Sequence, residues 1–163
     1  MLKKFTVLLL SIFTVFQLYA TPYGGGSIQV KYLGISNYDV TLHFYRDCSA
    51  VSAPPQVQIN FINSLNPVFN FNTIFFKTGG GSGNYLVKTC PSMLNECEGG
   101  NLFGYEEYTY SGIVNLPPGA WTISYWSCCR TPTNVTSNPY NDEYYIETKI
   151  NNHHTLYNHI PLF

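Results

Sequence analysis

Residues 105–126 read YEEYTYSGIVNLPPGAWTISYW, two runs of alternating residues joined by Leu-Pro-Pro-Gly. In the second run Trp121, Ile123 and Tyr125 occupy every other position. Because successive side chains of a strand point to opposite faces, this pattern predicts a β-hairpin with these three side chains inward and Trp126 on the other face. The stretch places the chain among β proteins.

Similar alternation occurs earlier in the chain. One apolar face combines Val40, Leu42 and Phe44, and a second series is Val57, Ile59 and Phe61. A hairpin joint is expected at 34–37, and turn residues recur about every 8 to 12 residues. Gly79–Gly83 lacks the lysine of a phosphate-binding loop and is expected to form a turn. The sequence predicts an all-β, immunoglobulin-like sandwich of about seven to nine antiparallel strands.

The composition indicates one folded domain. The chain has 163 residues, of which 45% are hydrophobic and 17% aromatic, enough for a substantial core. Only 10% are charged, with 8 Lys+Arg against 9 Asp+Glu, so no basic surface is available for nucleic acid. We therefore expect neither a disordered chain nor a nucleic-acid-binding protein.

The N-terminus has the pattern of an export signal. Lys3 and Lys4 precede an uncharged run that ends in Leu18-Tyr19-Ala20. Phe5 to Ala20 is 16 residues, whereas a membrane-spanning helix needs about 20. We therefore expect a signal peptide over 1–20, no stable membrane span after its cleavage, a β-sandwich domain over 21–152, and a tail or truncated start of a following domain over 153–163.

Five cysteines after an export signal predict a disulfide-stabilised domain. Cys90 and Cys97 flank a short turn and are expected to pair. Cys48 and Cys129 lie at the ends of two strands, each on the apolar face of its strand, and are expected to form a second bridge. A bulge that shifts the register by one residue would put Cys128 in place of Cys129. One cysteine is left unpaired or bonded to another chain.

The aromatic excess suggests a binding surface. Because the strands alternate, some aromatic side chains must face outward, where they can stack on sugars or contact proteins. The residues predicted for such a surface are Trp126, Tyr108, Tyr110 and Tyr144. The competing interpretation is that these rings fill the core or cover a sheet edge.

Catalytic, cofactor and metal sites are not predicted. A cysteine nucleophile served by His43 has no supporting pattern, and Asp47, Glu106 and Glu107 could form a glycosidase pair only at a suitable separation. Arg46 and Asp47 are expected to form a structural ion pair or a turn. Metal ligands are conceivable in two segments, His153-His154 with His159 and Asn141-Asp142-Glu143, but solvated surface is the favoured interpretation.

Several motifs together resemble the N-terminal module of large secreted Bacteroidota-type proteins. They are Tyr45-Arg46-Asp47-Cys48, Cys90-Pro91, Cys97-Glu98-Gly99-Gly100, Glu106-Glu107-Tyr108-Thr109-Tyr110-Ser111-Gly112, Leu116-Pro117-Pro118-Gly119 and Ser124-Tyr125-Trp126-Ser127-Cys128-Cys129-Arg130. In that family the module precedes PKD-like or immunoglobulin-like arrays and a gliding-motility-associated or type IX sorting domain. Relatives often have a cysteine near the Leu-Pro-Pro turn, where this chain has Ala120-Trp121, so their bonding pattern does not transfer directly.

The expected role is an exported, non-catalytic structural or adhesive module that is secreted or held at the cell surface. Its expected partners are neighbouring domains, surface proteins or polysaccharide. Because family members continue beyond the position of Phe163, a truncated gene and a periplasmic location are further expectations. A carbohydrate-binding module is the alternative, and a secreted hydrolase is a third.

Overall fold

The computed structural model describes residues 23–50, 52–86, 92–128 and 143–153, and within them the chain forms seven β-strands. The strands are β1 (Tyr23–Gly34), β2 (Asn37–Asp47), β3 (Gln56–Asn63), β4 (Phe71–Tyr85), β5 (Tyr105–Asn115), β6 (Ala120–Cys128) and β7 (Glu143–Asn151). Short 3-10 turns cover Pro67–Phe69 and Glu96–Glu98. The predicted signal peptide, and the predicted tail after residue 153, lie outside the described residues.

The strands pair antiparallel in the order β1-β2-β5-β4-β3-β6-β7. This order matches a constant-type immunoglobulin sandwich, with β1, β2, β5 and β4 in one sheet and β3, β6 and β7 in the other. The predicted fold class is confirmed. We call these groups the first sheet and the second sheet.

Strand β4 belongs to both sheets. Its first part, Phe71 to Phe76, pairs with β3, and the part from Phe76 onward pairs with β5 through a register shift after Lys77. Gly80 has a φ of 82°, and a Cβ there would overlap the Glu107 carbonyl oxygen. The prediction of a turn at 79–83 is wrong, since this glycine-rich stretch continues the strand where its backbone bends and lies close to β5.

The core lies between the sheets and follows the predicted alternation. Val40, Leu42 and Phe44 are fully buried, and so are Ile59 and Phe61. The ring of Phe44 meets that of Tyr125 edge-on, with centroids 6.2 Å apart. This contact joins β2 of the first sheet to β6 of the second, as face-to-face packing requires.

The Pro-Pro-Gly turn is fixed by polar contacts at one end of the sandwich. Asn152 donates from Nδ2 to the Tyr38 hydroxyl and the Leu116 carbonyl, and its Oδ1 accepts from the Gly119 amide. The Trp121 indole donates to the Pro117 carbonyl over 2.9 Å. The prediction that β5 and β6 form a hairpin is wrong, because β5 pairs with β2 and β4 whereas β6 pairs with β3 and β7, so the turn crosses from the first sheet to the second. Asn152 supplies partners that buried backbone groups of this turn need.

Two tyrosines in the core predict alkaline unfolding. Burial raises the pKa of Tyr125 to about 12, and burial raises the pKa of Tyr110 still further. These folded-state pKa values exceed the usual 10.0, so the folded state holds the two phenol protons more tightly than the unfolded state. The stability that the protonated tyrosines contribute is therefore fully present below pH 10 and is lost as the pH rises through about 12. Circular dichroism should therefore show unfolding in this interval, together with late tyrosine ionisation at 295 nm.

A Tyr125→Phe variant is the control, because it removes one ionisable group and should move the alkaline midpoint to higher pH. A fold that stays intact while every tyrosine ionises near pH 10 would contradict the buried placement.

Candidate functional site

The Tyr-Arg-Asp-Cys segment ends β2 in a buried polar network. Arg46 Nη2 donates to Glu106 Oε2 over 2.6 Å, and the Tyr108 hydroxyl donates to the same oxygen over 2.9 Å. Arg46 Nη1 donates to the Ala50 carbonyl. Burial, followed by the hydrogen bond to Glu106, raises the pKa of Tyr108. The network holds the loop after β2 against β5.

Arg46 and Asp47 do not pair with each other, so of the two predicted alternatives the turn is the correct one. Asp47 is 2% exposed, and its Oδ1 accepts from the backbone amide and the hydroxyl of Ser49. This is an Asx-type turn, in which the carboxylate replaces a backbone acceptor. The partner of Arg46 is instead Glu106 on the neighbouring strand.

A disulfide joins Cys48 to Cys97, with Cα atoms 5.1 Å apart. The predicted pairs Cys90–Cys97 and Cys48–Cys129 are therefore wrong, and so is the alternative Cys48–Cys128. The Cys48 amide also bonds to the Gly104 carbonyl, so the 92–104 segment lies beside the end of β2. The short sequence distance favoured Cys90 as the partner of Cys97. In the structure the 92–104 segment instead places Cys97 next to Cys48.

Cys128 is also disulfide-bonded, and its partner lies outside the described residues, as do Cys90 and Cys129. A disulfide-bonded cysteine carries no thiolate. In this structure neither Cys48 nor Cys128 is thus available as the nucleophile of the hydrolase alternative.

The candidate acid–base residues separate onto two faces. Glu106 points into the network with Arg46, whereas Glu107 lies on the outer surface of the first sheet and contacts His43 Nδ1 over 2.6 Å. Glu106 and Glu107 are neighbours on one strand, so they project to opposite sides of the sheet. A glycosidase pair formed by these two carboxylates is excluded by this geometry.

Three of the four predicted surface aromatics are buried. Tyr110 is 0% exposed, and Tyr108 and Tyr144 are below 10%. The prediction is wrong for these three because each lies in the inward phase of its strand, as Glu106 and Val114 do on β5. Trp126 is 58% exposed, as predicted, and its directly opposed partner on β7 is Tyr145, which is 52% exposed.

The outer face of β6 and β7 carries three opposed pairs in succession, which we call the Trp126–Tyr145 strip. The pairs are Trp126–Tyr145, Ser124–Glu147 and Thr122–Lys149. Ser124 further aligns with Asn60 on β3, and Asn60 with Asn72 on β4, so a polar row adjoins the aromatic pair. Ser124 itself is 4% exposed, so the strip and its adjoining row present two exposed rings, the Asn60 and Asn72 amides and the charged groups of Glu147 and Lys149.

Contacts along β7 position the Tyr145 ring. Its hydroxyl donates to Glu147 Oε2 over 2.9 Å, and Lys149 Nζ lies 2.9 Å from Glu147 Oε1. The hydrogen bond from Lys149 lowers the pKa of Glu147, and the same contact raises the pKa of Lys149. Near neutral pH the opposite charges of Glu147 and Lys149 balance.

The strip leads into a groove of about 420 Å³ at the Pro-Pro-Gly end. Thr122 and Lys149 belong to both the strip and the groove, and Ser64 and Asn151 also line the groove. Trp126 lies four positions after Thr122, a length of about 13 Å along the strand. An elongated ligand could therefore contact the rings and the groove together.

The metal-ligand segments are only partly described. His153 and Glu143 lie in the described part, whereas His154, His159, Asn141 and Asp142 lie outside it. Among residues 23–50, 52–86, 92–128 and 143–153 there is no group of three or more His, Cys, Asp or Glu side chains suited to a metal. The same residues include no helix long and apolar enough to cross a membrane.

In comparisons with known proteins, the chain matches no family model, no curated protein and no solved structure.

Proposed function

We propose that this protein is an exported, non-catalytic module that serves as a structural or adhesive unit at the cell surface. The observation that carries the proposal is that the charged and cysteine side chains at the end of β2 make structural contacts. Arg46, Asp47, Cys48 and Glu106 are all engaged in contacts that hold loops to the sandwich. These four side chains therefore stabilise the fold.

The direction of the chain supports a modular role. Strand β1 begins at Tyr23 beside Arg46, and β7 ends at Asn151 beside Ala120 and the Pro-Pro-Gly turn. The described domain is therefore entered at the disulfide end and left at the opposite end. Domains with this geometry can be joined head to tail, as the resemblance to modules of large surface proteins implies.

A carbohydrate-binding module is the second candidate, and the Trp126–Tyr145 strip favours it. Two exposed rings on one sheet face, flanked by polar groups, are typical of surfaces that hold an amphipathic ligand. This candidate is compatible with the first, because an adhesive module needs a ligand.

The proposal predicts surface exposure without turnover. Protease added to intact source cells should remove the protein, and the purified protein should hydrolyse no glycosidase, peptidase or esterase substrate. His43→Ala and Glu107→Gln test the partly buried His43–Glu107 contact described above, and Glu143→Gln, an exposed carboxylate of β7 outside the Trp126–Tyr145 strip, is the matched control. Turnover that His43→Ala or Glu107→Gln abolishes and Glu143→Gln preserves would establish a hydrolase instead.

A further inference from the structure

We propose that the Trp126–Tyr145 strip binds a neutral polysaccharide, with sugar rings stacked on the two aromatic side chains and hydrogen-bonded to the adjoining polar row. This inference deepens the proposed function by naming the partner, and it rests on the non-catalytic, adhesive form of that function.

The first step is the arrangement of the rings. Trp126 and Tyr145 are directly opposed on neighbouring antiparallel strands, so both project from the same face with Cβ atoms about 5 Å apart. Both are more than half exposed. The Tyr145 ring is tethered through its hydroxyl to Glu147, which Lys149 holds in turn. A ring held in place before binding loses little side-chain entropy when a ligand stacks on it.

The second step is the chemistry beside the rings. Glu147 and the Asn60 and Asn72 amides lie in the next row, about 7 Å along the strands. The Asn60 and Asn72 side chains have no hydrogen-bond partner among the described residues. Carboxylate and amide groups are acceptors and donors for hydroxyl groups. Apolar faces and hydroxyl edges are what sugar rings present, so the strip matches both.

The third step is the electrostatic balance. Glu147 and Lys149 neutralise one another at a distance of 2.9 Å, and the remaining strip residues are uncharged. Such a surface has no net attraction for an anionic polymer, which would need a cluster of basic groups. A neutral polysaccharide is therefore favoured over an acidic one.

The fourth step is the area of the strip, which favours a polysaccharide chain over a protein partner. A buried aromatic side chain contributes about 150–250 Å², so two rings at just over half exposure offer roughly 200 Å². A stable protein interface buries about 800 Å² on each partner. The strip is much smaller than such an interface, although Ile62, Ile74 and Phe76 add exposed apolar area elsewhere on the same face. Its size suits a chain of a few sugar rings that continues toward the groove at Thr122 and Lys149.

The test is affinity electrophoresis of the purified protein in native gels. The neutral gels contain hydroxyethyl cellulose, galactomannan or amylopectin, and a further gel contains anionic alginate. We expect retardation by at least one neutral polymer, with relative affinity lowered at least tenfold by Trp126→Ala or Tyr145→Ala and largely retained by Trp126→Phe. Circular dichroism verifies that each variant is folded.

Phe76→Ala is the matched control, because Phe76 is a 63% exposed aromatic on β4 without an opposed ring. It should bind within twofold of the unchanged protein. The proposal is overturned by no retardation in any neutral gel, by retardation that folded Trp126→Ala preserves, or by salt-sensitive retardation in alginate alone. Each of these results, with turnover still absent, leaves the structural role intact, whereas turnover would refute the non-catalytic proposal itself.

Discussion

Replacing Trp121 with alanine is expected to lower the free energy of unfolding by about 3 to 5 kcal/mol. Trp121 is 1% exposed, and its ring packs against Phe71 across 6.0 Å between centroids. Its indole also donates to the Pro117 carbonyl, so the substitution removes a core side chain and leaves a turn acceptor without its donor. Guanidinium denaturation monitored by circular dichroism measures the loss.

Trp126→Ala is the matched control in the same strand. Trp126 is 58% exposed, so its removal should change the free energy of unfolding by about 0.5 kcal/mol or less. If Trp126→Ala were the more destabilising of the two substitutions, the register of β6 would be shifted by one residue.

Removing the Cys48–Cys97 disulfide with a Cys48→Ala/Cys97→Ala double substitution is expected to cost about 4 kcal/mol. The bond closes a loop with a sequence separation of 49, and the chain-entropy model gives this value for such a loop. Denaturant titrations of the oxidised protein and of the double variant measure the difference.

Peptide mapping without reduction provides the independent check. It should recover Cys48 and Cys97 in one linked pair of peptides. Recovery of Cys97 linked to Cys90 would contradict the structure and restore the pairing expected from sequence distance alone.

The strand interiors were predictable because alternation is a local property. The alternating residues of β2 and β6 lie on the inward face of each strand, as their two-residue spacing indicates. They are Val40, Leu42 and Phe44 on β2, and Trp121 and Ile123 on β6. The same rule could have corrected the aromatic surface, since Tyr108 and Tyr110 share the phase of Val114. Glu106 obscured that phase, because a carboxylate on an inward face requires a buried partner, and Arg46 is 60 residues away in the sequence.

Contacts between distant segments were not predictable in this way. Cysteine pairing depends on how the 92–104 segment folds back to β2, and no local spacing reports that path. Similarly, Gly79 to Gly81 resemble a turn until the backbone of β5 is placed beside them. Tyr145 was missed as a surface residue although it alternates with the inward-facing Tyr144 and Ile146.

The passage of the chain from one end of the sandwich to the other also determines how the domain meets mechanical load. A pull applied at Tyr23 and Asn151 runs nearly parallel to the strands, because β1 starts at the disulfide end and β7 finishes at the Pro-Pro-Gly end. The ladder bonds of the edge strands are then strained together in shear and do not open one after another as in a zipper. Because β4 pairs with both β3 and β5, it joins the two sheets in one hydrogen-bonded ladder. The Cys48–Cys97 bond in turn prevents the segment between these two cysteines from extending under load.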